Sequence, residues 1–186
     1  MIKFILHGGH ARAENDENES FFREFSSSFK DNTKVLLNFF AGKEDGNPEQ
    51  IERYKRKINN TCKSIKLKFI VANQDSFLKQ LKESHAMYVG GGSTPLLVNK
   101  LSKYKNLDKL FEGKIIAGSS AGAYFLTKYY YENDDNNFYK GLGILNIKAL
   151  CHYNKENREI VEKLNKYKER LPIIILPDYI YTVVYK

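Results

Sequence analysis

The residue with the clearest chemical potential is Ser120, set in Gly118-Ser119-Ser120-Ala121-Gly122 directly after the apolar run Ile115-Ile116-Ala117. A serine between small residues at a strand-to-helix turn can act as a nucleophile. The tight turn needs glycine flanks because a side chain would clash, and it lifts the hydroxyl clear of the sheet. Gly118 and Gly122 supply that room, and the N–H of Ala121 would face negative charge developing on a substrate. The five-residue pattern alone recurs by chance, and a structural turn is the competing reading. The apolar run before it and the helix expected after it favour the nucleophile. One strand earlier, Gly90-Gly91-Gly92-Ser93-Thr94 follows Tyr88-Val89. Glycines at a strand end let a ligand approach the backbone closely. A phosphate-binding turn is the alternative, but the dinucleotide fingerprint fails because Thr94 and Pro95 stand near where its third glycine would fall. Beside the serine turn, a donated oxyanion N–H from Gly92 is the more economical use.

A serine nucleophile needs a base, and the chain has four histidines: His7, His10, His85 and His152. His85 precedes a strand and falls at the wrong end of the sheet. His7 and His10 follow the first strand, where a local turn role competes with a catalytic one. His152 closes the apolar run Ala149-Leu150-Cys151 after the nucleophile and is the favoured base. An acid must orient that imidazole. Asp178, after Ile173-Ile174-Ile175-Leu176-Pro177, is the first choice, and Asp135 in an acidic segment is its rival. An aspartate after proline also forms turns readily. In α/β-hydrolases the acid comes between serine and histidine. Here His152 follows Ser120 too soon for the strands that fold inserts, so the order Ser, His, Asp fits better.

These residues must be held by an alternating scaffold. Short apolar, β-branched runs predict strands at Ile2–Leu6, Lys34–Phe40, Ile65–Val71, Ala86–Val89, Lys114–Ala117, Ala149–His152 and Ile173–Leu176. Amphipathic stretches predict helices at Asn18–Phe29, Pro48–Asn60, Ser76–Glu83, Pro95–Leu101, Ala121–Tyr129 and Glu156–Arg170. The alternation predicts an α/β fold with a mainly parallel sheet covered on both faces. In such sheets ligands bind beyond the carboxyl ends of the strands, where Ser120, His152 and Asp178 all fall. Tyr129–Asn137 reads as an exposed loop. No repeat or linker interrupts residues 1–186, which read as one domain.

Composition narrows the partners. The net charge is +8, but the lysines are spread along the chain and not gathered on one stripe with aromatic platforms, so nucleic acid is not the expected partner. No apolar stretch approaches the roughly 20 residues of a spanning helix. The amino-terminal Met-Ile-Lys-Phe-Ile-Leu-His-Gly-Gly reads as a buried strand and not as a signal peptide. Cys62 and Cys151 offer neither a disulfide framework nor a metal spacing. A cytoplasmic monomer or homodimer is the expectation.

Val89-Gly90-Gly91-Gly92-Ser93-Thr94, Gly118-Ser119-Ser120-Ala121-Gly122-Ala123, His152 and Leu176-Pro177-Asp178 together resemble peptidase E, the aspartyl dipeptidase family, to which cyanophycinase is more distantly similar. The resemblance runs in element order from Ile2 to Val184. It implies a three-layer α/β/α sandwich of the class I glutamine amidotransferase-like (flavodoxin-like) type, with serine in place of that class's cysteine. It also implies removal of an amino-terminal aspartate from short peptides without metal or organic cofactor. Ser120 then matches the nucleophile and His152 the base. Asp178 stands where the family commonly has glutamate, and Gly92 and Ala121 match the oxyanion donors. Asp135 falls in the substrate-side loop, where it would meet the peptide's free amine. Ser93 replaces an asparagine that contacts substrate. After His152 the chain is shorter than in the family, Arg158 has no unique counterpart, and most of the strands that usually follow the acid are missing beyond Lys186. Two alternatives share the fold: a serine hydrolase for β-aspartyl or cyanophycin-type dipeptides, and a non-catalytic binding domain. Cysteine-dependent chemistry is disfavoured by the serine at the turn.

Overall fold

In the computed structural model, which describes residues 1–43 and 45–186, the apolar runs form strands whose alternate side chains feed two different cores. Strands β1 (Lys3–His7), β2 (Lys34–Asn38), β4 (Ala86–Val89) and β5 (Ile115–Ser119) are buried along nearly their whole length. Successive side chains of a strand point to opposite faces. Accordingly Phe4, Leu6, Leu36, Met87, Val89 and Ile116 enter one core, and Ile5, Val35, Leu37, Ala86, Tyr88 and Ala117 the other. With β3 (Lys68–Val71) and β10 (Tyr181–Tyr185) they make a six-stranded sheet in the order β10-β1-β5-β4-β2-β3. All neighbours are parallel except β10, which runs antiparallel to β1.

The second core is closed by α1 (Asp16–Ser26) and α2 (Pro48–Asn60). Helix α1 spaces Phe21, Phe22 and Phe25 onto one face and buries all three. Burial of each contributes up to about 3 kcal/mol, an upper bound because unfolded chains already hide some surface. Asn15 and Asn47 cap these helices by accepting from Asn18 N and Gln50 N, and Pro48 opens α2 at a position that needs no N–H. The first core is closed by α3 (Phe77–Glu83) and α4 (Thr94–Ser102), through Phe77, Leu81, Leu97 and Leu101. A short α5 (Leu107–Leu110) leads into β5.

Beyond α6 (Ala121–Tyr124) the chain builds a second sheet, β7-β6-β8-β9, from β6 (Tyr129–Glu132), β7 (Asn137–Lys140), β8 (Lys148–Cys151) and β9 (Ile173–Leu176). Strands β6, β8 and β9 are mutually parallel, and β7 returns antiparallel to β6. Helix α7 (Arg158–Lys166) joins β8 to β9. Lys148 is fully buried, yet its ammonium donates to the carbonyls of Leu164, Asn165 and Tyr167, which caps the carboxyl end of α7 with a positive charge.

Two expectations are corrected here. The helix from Ala121 ends at Tyr124, well before Tyr129, because Tyr129-Tyr130-Tyr131 suits a half-buried pleat better than a helix. Tyr130 stacks on Tyr124, with ring centroids 4.7 Å apart, and is buried. For the same reason Tyr129–Asn137 is not an exposed loop. It is strand β6, a turn and the first residue of β7, with Tyr129 paired to Lys140 and Glu132 to Asn137. Strand β10 and helix α5 appear without having been anticipated. No helix among the described residues is long and apolar enough to cross a membrane.

Candidate active site

The site lies where the carboxyl ends of the two sheets meet beside β1. Ser120 N donates to the His7 carbonyl at 2.9 Å, and His152 N donates to the Gly8 carbonyl at 3.0 Å. Tyr179 N donates to the Gly9 carbonyl at 3.2 Å. The end of β1 thus ties together the residues that follow β5, β8 and β9. His152 lies across Gly9: a Cβ on that glycine, at φ +142°, would stand 2.0 Å from the imidazole Cε1.

Ser120 sits at φ 53° and ψ −112°, a conformation that non-glycine residues rarely adopt. The turn is possible because its flanks carry no side chain. A Cβ on Gly118 would fall 1.8 Å from the Gly122 carbonyl oxygen, and one on Gly122 would fall 2.2 Å from that of Val89. The Ser120 hydroxyl lies 2.8 Å from His152 Nε2, and His152 Nδ1 lies 2.6 Å from Asp178 Oδ1. An ionised carboxylate only accepts, so a carboxylate in this place can put the imidazole proton on Nδ1 and turn the Nε2 lone pair toward the serine. Both His152 and Asp178 keep partial solvent access.

The triple glycine lies alongside. An ideal Cβ on Gly91 would stand 3.5 Å from Ser120 Cβ. Among the described residues the N–H groups of Gly92 and Ala121 have no acceptor, so both are available to an anionic oxygen. Ser120, His152, Gly91 and Gly92 open onto a cavity of about 480 Å³. Its far wall carries Arg12, from the β1–α1 loop, and Arg53, from α2, beside Tyr54. Arg53 is held by Glu49 one turn earlier, and Arg12 has no carboxylate partner among the described residues. Neither arginine stood out in the sequence, because a cavity wall drawn from a loop and a distant helix leaves no local pattern.

Two of the sequence-level candidates lie elsewhere. The Ser93 hydroxyl caps α4 by accepting from Leu96 N at 3.3 Å, and Ser93 is not on the cavity wall. Asp135 sits exposed in the β6–β7 turn, where its carboxylate accepts from the Tyr139 hydroxyl. The carboxylate from this hairpin that turns inward is Glu132, whose pKa is raised by burial and whose Oε2 has no partner among the described residues.

The remaining histidines separate cleanly. His85 lies at the amino end of the sheet, accepting from Lys34 N at 2.9 Å, as its position before a strand suggested. His7 is fully buried beneath the elbow. Its Nδ1 accepts from Gly9 N at 3.2 Å and lies 3.1 Å from the Ser119 hydroxyl, and its Nε2 lies 2.9 Å from Asn18 Oδ1. Burial pulls its pKa down to about 4, against the hydrogen bond to Asn18. It is a neutral pin for the loops around the serine. His10 is exposed, with Nε2 3.6 Å from Asp178 Oδ2. Cys151 is buried, and desolvation pushes its thiol far up, which removes it as a nucleophile.

Parallel strands covered by helices on both faces, with an acute serine turn at their carboxyl rim, define a three-layer α/β sandwich. The chain belongs to peptidase family S51, whose profile matches residues 4–184, and it is therefore a peptidase. Among solved structures it is similar to a candidate peptidase E protein from Listeria monocytogenes EGD-e, with 18% identity and a TM-score of 0.65 over 99% of this chain and 94% of that one. It is similar to the same degree of fold, TM-score 0.65 at 21% identity, to a peptidase from an acI-B1 actinobacterium, over 99% of this chain and 84% of that one. A search of curated proteins returned no match.

Proposed function

We propose that the protein is a serine peptidase that releases an amino-terminal aspartate from short peptides, with Ser120 as nucleophile, His152 as base and Asp178 as the acid that orients it. The observation that carries this reading is the continuous relay from the Ser120 hydroxyl through His152 to Asp178, at 2.8 Å and 2.6 Å. His152 Nε2 takes the serine proton as Oγ attacks the scissile carbonyl, and the carbonyl oxygen becomes an anion held by the N–H groups of Gly92 and Ala121. The protonated imidazole then gives its proton to the departing amine. Water, deprotonated by His152, attacks the acyl-enzyme and frees the acid product and Ser120.

Short, acidic substrates suit the cavity. A volume of about 480 Å³ is within the range of small-ligand sites and has room for a dipeptide. Arg12, with no carboxylate partner among the described residues, and Arg53, which shares the wall with its partner Glu49, offer planar donors to a carboxylate. The same wall would receive a β-aspartyl peptide, so a panel of α- and β-aspartyl dipeptides decides the linkage. The deciding variant is Ser120→Ala, which should stay folded and lose turnover of Asp-Xaa dipeptides by about 10⁴-fold or more. Turnover near the parent rate would remove Ser120 from the mechanism.

A further inference from the structure

The rim of the cavity carries a second imidazole that hydrolysis leaves unused. His10 follows β1 in a left-handed conformation, φ 59°. Its ring stands 5.5 Å from that of His152 and at 87° to it, and its Nε2 is 3.6 Å from Asp178 Oδ2. One donor atom from each of His10, His152 and Asp178 lies within 4.8 Å of the other two. We propose that these three side chains form an inhibitory site for Zn²⁺, built on two members of the relay itself.

The donor set is that of zinc. Two imidazoles and one carboxylate, with a fourth position left to water, match the usual open zinc site. Magnesium and calcium demand several oxygen donors and would find only one side-chain carboxylate here. With zinc bonds of about 2.0–2.2 Å in a tetrahedron, donor atoms stand roughly 3.3–3.5 Å apart. The His10–Asp178 separation of 3.6 Å is already close to that value. The 2.6 Å contact of His152 Nδ1 is with the other carboxylate oxygen, Oδ1, and must open by somewhat less than about 1 Å to admit the ion between the rings and the carboxylate. The side chains of His10, Asp178 and His152 are 47%, 37% and 31% exposed, so an ion can reach them and they have freedom to adjust.

The consequence for catalysis follows from the tautomer. His152 binds zinc through Nδ1 only after that nitrogen gives up its proton, and the neutral ring then carries hydrogen on Nε2. Nε2–H faces Ser120 as a donor and cannot accept the serine proton. Asp178, engaged by the metal, no longer fixes the productive tautomer. Zinc would therefore silence the peptidase without blocking the cavity, and a chelator would restore it. The inhibitory effect rests on the proposed roles of Ser120, His152 and Asp178, whereas binding of the metal does not.

The test is calorimetric titration of the full chain with ZnCl₂ in a non-chelating buffer, run beside the rate at which a fluorophosphonate labels Ser120. We expect a zinc site that requires His10, labelling slowed about tenfold or more at saturation, and recovery with EDTA. His10→Ala should weaken zinc binding about 100-fold, with its own metal-free labelling rate as reference. His10→Gln serves the same purpose should the alanine variant fold poorly. Equal zinc affinity in these variants, or full labelling at saturating zinc, would overturn the proposal. Absence of labelling in the metal-free parent would instead sink the hydrolase reading, and the calorimetric dependence on His10 would still decide the metal site.

Discussion

His7 makes the fold's response to acid calculable. Its ring is buried under the serine turn, with Nδ1 accepting from Gly9 N and Nε2 facing Asn18 Oδ1. A proton added at Nδ1 would point at the Gly9 N–H and break that contact. Burial accordingly holds the pKa near 4, against 6.5 for a free histidine. The unfolded chain therefore takes up this proton about 2.5 pH units before the native one, and below pH 6.5 it alone gains from acid. Stability from this group is complete above pH 6.5 and is lost as pH falls toward 4. The loss is about 1.4 kcal/mol at pH 5.5 and about 3 kcal/mol at pH 4, a large share of a typical domain's 5–15 kcal/mol. Urea denaturation followed by circular dichroism at pH 7, 5.5 and 4 measures it, with His7→Gln as the non-titrating reference. The carboxylates and the other histidines titrate in both proteins and cancel in the difference. The parent's advantage over the variant should shrink by about 3 kcal/mol between pH 7 and pH 4. A difference that stays constant with pH would refute the buried neutral histidine.

Three further outcomes are expected of the same site and its supports. Asp178→Asn should leave the fold intact and lower kcat by about 10⁴-fold, since an amide can donate to Nδ1 and trap the wrong tautomer; steady-state kinetics on Asp-Xaa dipeptides reads it. Gly9→Ala places a methyl 2.0 Å from the His152 ring, so it should displace the imidazole and suppress Ser120 labelling even where the protein remains folded. Ser93→Ala removes the cap of α4 and should cost about 1 kcal/mol of stability, seen as a lower urea midpoint, while KM stays near the parent value.

Much of this architecture is legible in the residues because its signals are local. The strands through Ile5, Val35, Met87 and Ile116 are continuous apolar runs, and the serine turn is marked by glycines that the carbonyls of Gly122 and Val89 make obligatory. The β6–β7 hairpin is hidden because small residues after Ser120 begin a helix, and the strand preference of Tyr129-Tyr130-Tyr131 does not by itself say that it stops after one turn. The burial of Tyr130 against Tyr124 decides that, and it is a tertiary fact. Strand β10 is a short run of β-branched and aromatic residues, but its place beside β1 depends on pairing across the length of the chain. The choice between Asp178 and Asp135 could not be made from spacing, since it turns on which loop folds back onto Gly8 and Gly9. The paired glycines after β1 were the available sign that other chain segments press close there. Arg12, Arg53 and His10 gain meaning only once the β1–α1 loop and α2 share a wall with the serine turn.

The most direct test of the account is mass spectrometry of the protein after exposure to a fluorophosphonate. A single adduct on Ser120, lost in His152→Ala and reduced in Asp178→Asn, is the predicted result. An unlabelled Ser120, or an adduct that forms as fast without the His152 imidazole as with it, would contradict the claim that these side chains activate that hydroxyl.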